Sequence, residues 1–494
     1  MAGRAGWFSS KTRRAALLAA AAGFGALAVA GTASARPVAA AHLGQPRVQL
    51  TSQAHRRSPI RHVVVLYLEN QSFDSLLGYW CDSHRRRCPA GGMPRLVRLS
   101  DGTIITPKVL PDIVPNVAHG VGPQAKAIDG GKMDGWQKLV GCGASTGYAC
   151  VAGYKPAQVP NLARLATRFA ISDETFTMAA SPSWGGHLYA VTDSLDGFLG
   201  ANPHRAPGVP ARPGWGCDSR KVSPWVSPAG GIRQEPSCVP DFKLSLANGG
   251  AFRPTQVNYL PTILDRLSAA GLSWRIFGEP TQPGSAASRA PGGLAAGYVW
   301  DICPSFAECL YTKQKASNVP SSKFVHVALA GKLPRFSLIT PGGADAPFSE
   351  HNGFSITAGD DWLGKVASAV MNGPQWRSTA LFITWDDCGC FYDQVPPGTN
   401  PDGTKQGPRA PLIIVSPFAR PGFTDPTATT FAGILGFTER TFGLRPLGRN
   451  DALAYQFTRA FNYHQKPRNP VAMIYRPWPP DAYHVNMKEA SQGS

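Results

Sequence analysis

Short apolar runs that end abruptly in polar residues recur along this chain and set its expected architecture. Residues 61–70 read RHVVVLYLEN; 62–68 are almost wholly apolar and β-branched at the start, which predicts a strand over 62–68 buried on both faces of a sheet. Similar runs predict strands over 168–172, 272–277, 335–340, 380–385 (ALFITW) and 411–415 (PLIIV). Helical periodicity and glycine stops predict helices over 160–167, 262–270 (before Gly271), 360–371 and 431–442 (before Gly443). An Asp74-containing turn after the first strand is placed to open another helix. Residues 81–115 read as an excursion with a small hairpin, since DGT separates LVRLS from IITP. Residues 203–253 are a Pro/Gly-rich insertion with the character of a lid or of a passive surface loop. Apolar strands alternating with helices predict an α/β fold with a mainly parallel central sheet in three layers, αβα.

The chemistry gathers where those strands end. In open α/β sheets ligands bind beyond the carboxyl edge. There the first strand presents Glu69 and Asn70, and the 380–385 strand presents Asp386 and Asp387. Adjacent acids are costly to desolvate unless a cation pairs with them, and oxygen ligands suit a hard divalent metal. A divalent ion of unspecified identity on these four residues is the sharper reading; a helix cap and solvated acids at a loop start are the plainer one. A third stretch, residues 176–197 (FTMAASPSWGGHLYAVTDSLDG), puts Ser183 before a predicted helix, where backbone N–H groups favour an anion. A serine there is most often a cap. Its hydroxyl needs a base or a metal to become a nucleophile, and Ser181 competes for that role.

These stretches resemble the bacterial phosphoesterase family that contains phosphatidylcholine-type phospholipases C and an acid phosphatase branch, itself related to the alkaline phosphatase and sulfatase superfamily. The E-N-x-S-F-D that follows the first strand looks like its opening signature. Residues 386–397 resemble its D-(D/E)-x-G-G-F-(Y/F)-D-H-V-x-P through Asp386, Asp387, Gly389, Phe391, Tyr392, Asp393, Val395 and Pro397, and the likeness runs in order over residues 61–453. It implies an alkaline-phosphatase-like fold, metal ligation by Glu69, Asn70, Asp386 and Asp387, and Ser183 as nucleophile with His187 in a basic slot. It also implies that His119 (in VPNVAHG) and His351 (in FSEHNGF), with His187, neutralise phosphoryl charge or protonate the leaving group. The chain departs from the family at Cys390, where glycine is usual, and at Gln394, where histidine is usual; residues 425–444 also lack a histidine the family often has. Gln394 and the missing histidine weigh against the particular phospholipase activity, and the length is closer to the acid phosphatase branch. The implied protein is a secreted, metal-dependent, acid-phosphatase-like phosphoesterase. The alternatives are a phospholipase C acting on lipid headgroups and, from another class, a non-catalytic binder of envelope polyanions.

Composition adds a compartment and a charge. Lys11, Arg13 and Arg14 precede a small apolar run, and Thr32-Ala33-Ser34-Ala35 ends in a small-x-small pattern, so residues 1–35 read as a signal peptide. The paired arginines loosely fit twin-arginine export. Residues 36–58 would be a flexible lead-in, 59–470 the catalytic domain and 471–494 a C-terminal tail. The formal charge of +18 falls to +14 when Arg4, Lys11, Arg13 and Arg14 leave with the leader. That balance favours anionic partners: phosphorylated small molecules, phospholipid or an anionic cell envelope. Nothing beyond charge points to nucleic acid, and no stretch after the leader approaches membrane-spanning length. The ten cysteines fall into local pairs, which in an exported chain predicts four ordinary bridges. Cys388 and Cys390, one residue apart, would form a strained and reducible bridge, and whether they pair stays open.

Overall fold

The computed structural model describes residues 58–280 and 300–477. The expected leader (1–35), nearly all of the lead-in and most of the tail lie outside them. β1 (His62–Leu68) occupies the interior of an eight-stranded sheet, with six of its seven residues buried. The other strands are β2 (Ala170–Ser172), β3 (Trp274–Gly278), β4 (Asn318–Pro320), β5 (Phe336–Ile339), β6 (Thr379–Trp385), β7 (Leu412–Val415) and β8 (Thr424–Asp425). Their order across the sheet is β4-β3-β5-β1-β6-β7-β2-β8. Only β7 pairs antiparallel to its neighbours. With helices flanking the sheet, this is the three-layer αβα architecture that the alternation of runs predicts.

Local chemistry explains the helices. Ser72 caps α1 (Phe73–Ser83), its Oγ accepting the Ser75 N–H at 3.1 Å. Pro160 opens α3 (Pro160–Arg168) at a position whose N–H has no helical partner; it follows α2 (Val121–Ile128). The short α4 (Ser183–Tyr189) precedes α5 (Ile263–Ala269), where Thr262 and Asp265 form a capping box. α6 (Ile356–Asn372) begins a turn earlier than its sequence pattern predicts, because Ser355 caps it through Ala358. α7 (Ala432–Phe442) ends at left-handed Gly443, as predicted, and is followed by α8 (Arg449–Leu453).

The local pattern misses β8, β4 and the order within the insertion. β4 is a three-residue strand ending in Pro320, tolerated because it lies at the sheet's edge. The insertion at 203–253 is not irregular: His204–Arg205, Lys221–Val226 and Ile232–Pro236 form a three-stranded antiparallel sheet. Arg253 anchors it, pairing with Asp196 at 3.1 Å and lying over the rings of Phe198 and Trp225. Four disulfides join Cys81–Cys88, Cys142–Cys150, Cys217–Cys238 and Cys303–Cys309, the pairs that spacing predicts. Cys388 and Cys390 are buried thiols.

Candidate active site

β1 and β6 run parallel, with Leu68 opposite Trp385. The residues that follow therefore emerge side by side at the carboxyl edge: Glu69 from one strand, Asp386 from the other. The Asp386 N–H donates to the Leu68 carbonyl at 3.0 Å, and the Asn70 N–H donates to Asp386 Oδ1 at 2.8 Å. Asn70 adopts a left-handed backbone, φ 60°, which asparagine tolerates better than most residues.

α4 brings a second set of groups to this edge. Ser183 and His187 are four residues apart and share one helical face. Gly186 lets that face approach, since a Cβ there would lie 2.7 Å from the Asp386 carbonyl oxygen. The Tyr67 hydroxyl, from β1, donates to the Gly186 carbonyl at 2.8 Å and fixes the helix in place. As a result His187 Nε2 lies 2.5 Å from Glu69 Oε1 and 4.0 Å from Asp386 Oδ2. The Ser183 hydroxyl lies 3.4 Å from Asn70 Oδ1. Ser181 lies under Gly185 and Gly200, and its carbonyl accepts from Gln124.

The other two histidines come from loops. His119 Nδ1 is 2.7 Å from the Val117 carbonyl and His351 Nδ1 is 2.9 Å from the Asn352 carbonyl. Facing a carbonyl, each Nδ1 carries the proton and leaves Nε2 as an acceptor. His119 Nε2 then meets the Asn70 side-chain amide at 3.4 Å, and the two rings stand edge to face, 5.9 Å apart. The same amide donates to Asn352 Oδ1 at 2.9 Å, and Asn352 donates to the Pro115 carbonyl at 2.6 Å. Asn352 is a site residue that sequence reasoning missed, although it directly follows His351. Trp300, packed on the His351 ring at 5.3 Å, is another, and nothing in its local sequence marks it.

Burial governs the electrostatics. It pushes Glu69 up to about 8, only partly offset by the neighbouring Asp386 and Ser183 side chains. Burial, then the neighbouring acids, raise Asp386 and Asp387 far above the usual carboxylate range. Burial pushes His187 down to about 4 against the pull of Asp386, and His351 down to about 3 with His119 adding to the fall. It lowers His119 as well. Acids raised and imidazoles lowered share one cause, burial, which disfavours the charged form of each. Glu69 Oε2, Asp386 Oδ2 and Asp387 Oδ2 are buried without a hydrogen-bond partner. Among the described residues, Glu69, His187 and Asp386 offer ligand atoms within 4.8 Å of one another. This donor set fits a divalent cation.

Beneath the site, Arg409 is wholly buried and links the two acid-bearing segments. It reaches Asp393 through Nε at 3.2 Å and Asp74 through Nη2 at 3.0 Å, and lies over the Phe73 ring. Gln394, which departs from the family pattern, is tied to the Gly92 carbonyl by its side chain and to Asp74 by its backbone.

Carboxylates, a hydroxyl and imidazoles thus gather at the carboxyl edge of the αβα sheet. The chain belongs to the Phosphoesterase family, whose family model matches residues 60–445, and it is accordingly a hydrolase acting on phosphoester bonds. Non-specific phospholipase C1 of Arabidopsis thaliana is 23% identical over 473 residues, covering 85% of this chain and 76% of the plant protein. A non-hemolytic phospholipase C of Burkholderia pseudomallei is 25% identical over 501 residues, covering 88% of this chain and 64% of that one. Among solved structures, an alkaline phosphatase superfamily protein from Vibrio parahaemolyticus aligns with TM-score 0.29 and 14% identity, over 60% of this chain and 64% of the other.

Proposed function

We propose that this protein is an exported, metal-dependent phosphoesterase with Ser183 as its nucleophile. The observation that carries the reading is the set of partnerless buried oxygens on Glu69, Asp386 and Asp387, with His187 Nε2 lying 2.5 Å from Glu69 Oε1 and 4.0 Å from Asp386 Oδ2. Glu69, Asp386 and Asp387, with Asn70 and His187, would hold the ion. When bound, a divalent cation acidifies a nearby hydroxyl and draws charge from phosphoryl oxygens. Ser183 Oγ, 3.4 Å from Asn70 Oδ1, attacks phosphorus in line, and the proton it gives up passes to the oxygen of the leaving alcohol. The ester P–O bond breaks, and water then hydrolyses the phosphoserine. His119 and His351 are held neutral by burial, so their part in charge neutralisation requires the phosphoryl group's own negative charge to draw a proton onto them. Ser183→Ala with an unchanged fold should abolish turnover and trapping of phosphate on the chain; full activity would refute the assignment.

For the substrate, an acid-phosphatase-like monoesterase is one reading, whereas the named relatives favour phospholipase C. Trp300 and Phe354 beside His351 support a site wall that packs against an organic substituent. Rates on an aryl phosphate monoester, a phosphodiester and phospholipid vesicles separate the two readings. Export rests on the leader pattern and the four bridges. No helix among the described residues is long and apolar enough to cross a membrane.

A further inference from the structure

Eight of the ten cysteines are bridged, and the remaining two lie in the turn that follows the acid pair of β6. Cys388 Sγ and Cys390 Sγ are 3.0 Å apart, and both residues are wholly buried. Consecutive left-handed residues, Gly389 at φ 50° and Cys390 at φ 48°, curl the turn so that the two sulfurs meet. A side chain is disfavoured at positive φ, where glycine sits without steric cost. The side chain kept there is a thiol in contact with another thiol.

We propose that Cys388 and Cys390 are a redox modification site, closing to a fifth, reducible disulfide that resets the turn beneath Asp387 and Asn70. The turn touches both residues. The Gly389 N–H donates to Asp387 Oδ1 at 2.6 Å, and Gly389 is pressed so close to Asn70 that a Cβ would lie 2.2 Å from its carbonyl oxygen. Bond formation brings the sulfurs to about 2.0 Å, and the contraction of roughly 1 Å falls on this turn. The oxidant is a thiol-exchanging disulfide, the class that closes the other four bridges. One cysteine thiolate attacks the donor S–S bond, giving a mixed disulfide and releasing one donor thiolate. The second cysteine, as thiolate, then displaces the other donor sulfur and forms the Sγ–Sγ bond. Two electrons pass to the donor, whose two sulfurs take up the two cysteine protons. Burial confines the exchange to folding or to local opening of the loop. A ring spanning one residue is more strained than the four bridges, whose partners are 6 to 21 positions apart, so it reduces first.

The coupling to the site rests on the cation reading above; the disulfide itself does not. The test begins with full-length protein oxidised by a low-molecular-weight disulfide, then denatured, alkylated without reduction and mapped by mass spectrometry. No alkylated cysteine is expected, and graded reductant on the native protein should label Cys388 and Cys390 while the other four bridges stay closed. Titration with Mn²⁺ should show the affinities of the oxidised and the selectively reduced protein differing about tenfold or more, and Cys388→Ser/Cys390→Ser should show no response to reductant. Two alkylatable thiols in the oxidised protein, or another bridge opening first, would overturn the site. Equal Mn²⁺ affinity in both redox states would overturn the coupling. The thiol map reads neither metal nor turnover, so it separates failure of this proposal from failure of the cation reading.

Discussion

Glu69 and His187, separated by 118 positions in the chain, meet at 2.5 Å between Oε1 and Nε2 with both side chains buried. One stands at the end of β1, the other on α4 one turn beyond Ser183. The family pattern places His187 among the groups that balance phosphoryl charge. Its position against Glu69, near Asp386, makes it equally able to serve as a ligand. His187→Ala is therefore expected to weaken divalent-ion binding at least about tenfold as well as slow turnover, read by cation titration. Unchanged affinity would confine His187 to the substrate side.

The acids of the site repel one another unless a cation stands between them. Saturating divalent cation should raise the melting temperature, since a ligand at about 100 times its Kd adds about 2.7 kcal/mol. Chelation should reverse the gain. Glu69→Gln should shrink the response, because one carboxylate no longer draws on the ion.

Ser183→Ala should lower kcat by roughly 10³-fold or more, as loss of a covalent nucleophile does. Ser181→Ala should retain most of the activity, because that side chain lies under Gly185 and Gly200. The reverse ranking would transfer the nucleophile to Ser181.

Arg409 is the cation that makes Asp74 and Asp393 tolerable in the interior. Arg409→Leu leaves both acids unpaired and should cost about 3–5 kcal/mol in denaturant unfolding. Adding Asp74→Asn and Asp393→Asn should recover part of that loss. No recovery would mean that shape rather than charge sets the cost.

A pH effect is expected far from the acid pair. Burial, with Asp451 alongside, pushes Glu439 on α7 up to about 10, and burial pushes Asp193 up to about 7. A carboxyl raised in the folded state holds a proton that the unfolded chain gives up near its ordinary value. Its stabilising contribution is complete below that value and is lost as pH rises through the folded one. Thermal stability should therefore fall between about pH 5 and 10, with Asp193 contributing mainly to the lower part of that range. Glu439→Gln, which cannot ionise, should flatten the upper part of the fall. A slope identical to that of the parent protein would remove Glu439 as its source.

Local pattern by itself determined six of the eight strands of the main sheet, the main helices, the four bridges and the acids at two strand ends. Each of these is written over a few consecutive residues: a run too apolar to remain in water, a cap, a short loop between cysteines. Tertiary structure decided what those acids face. Only parallel pairing of β1 with β6, with Leu68 opposite Trp385, places Glu69 beside Asp386. Only the close approach of Gly186 brings His187 onto them. Asn352, Trp300 and Arg409 gain their roles from partners far away in the chain, so no spacing announces them. Backbone period is local, whereas the convergence of charges depends on strand order and packing, which no short stretch encodes.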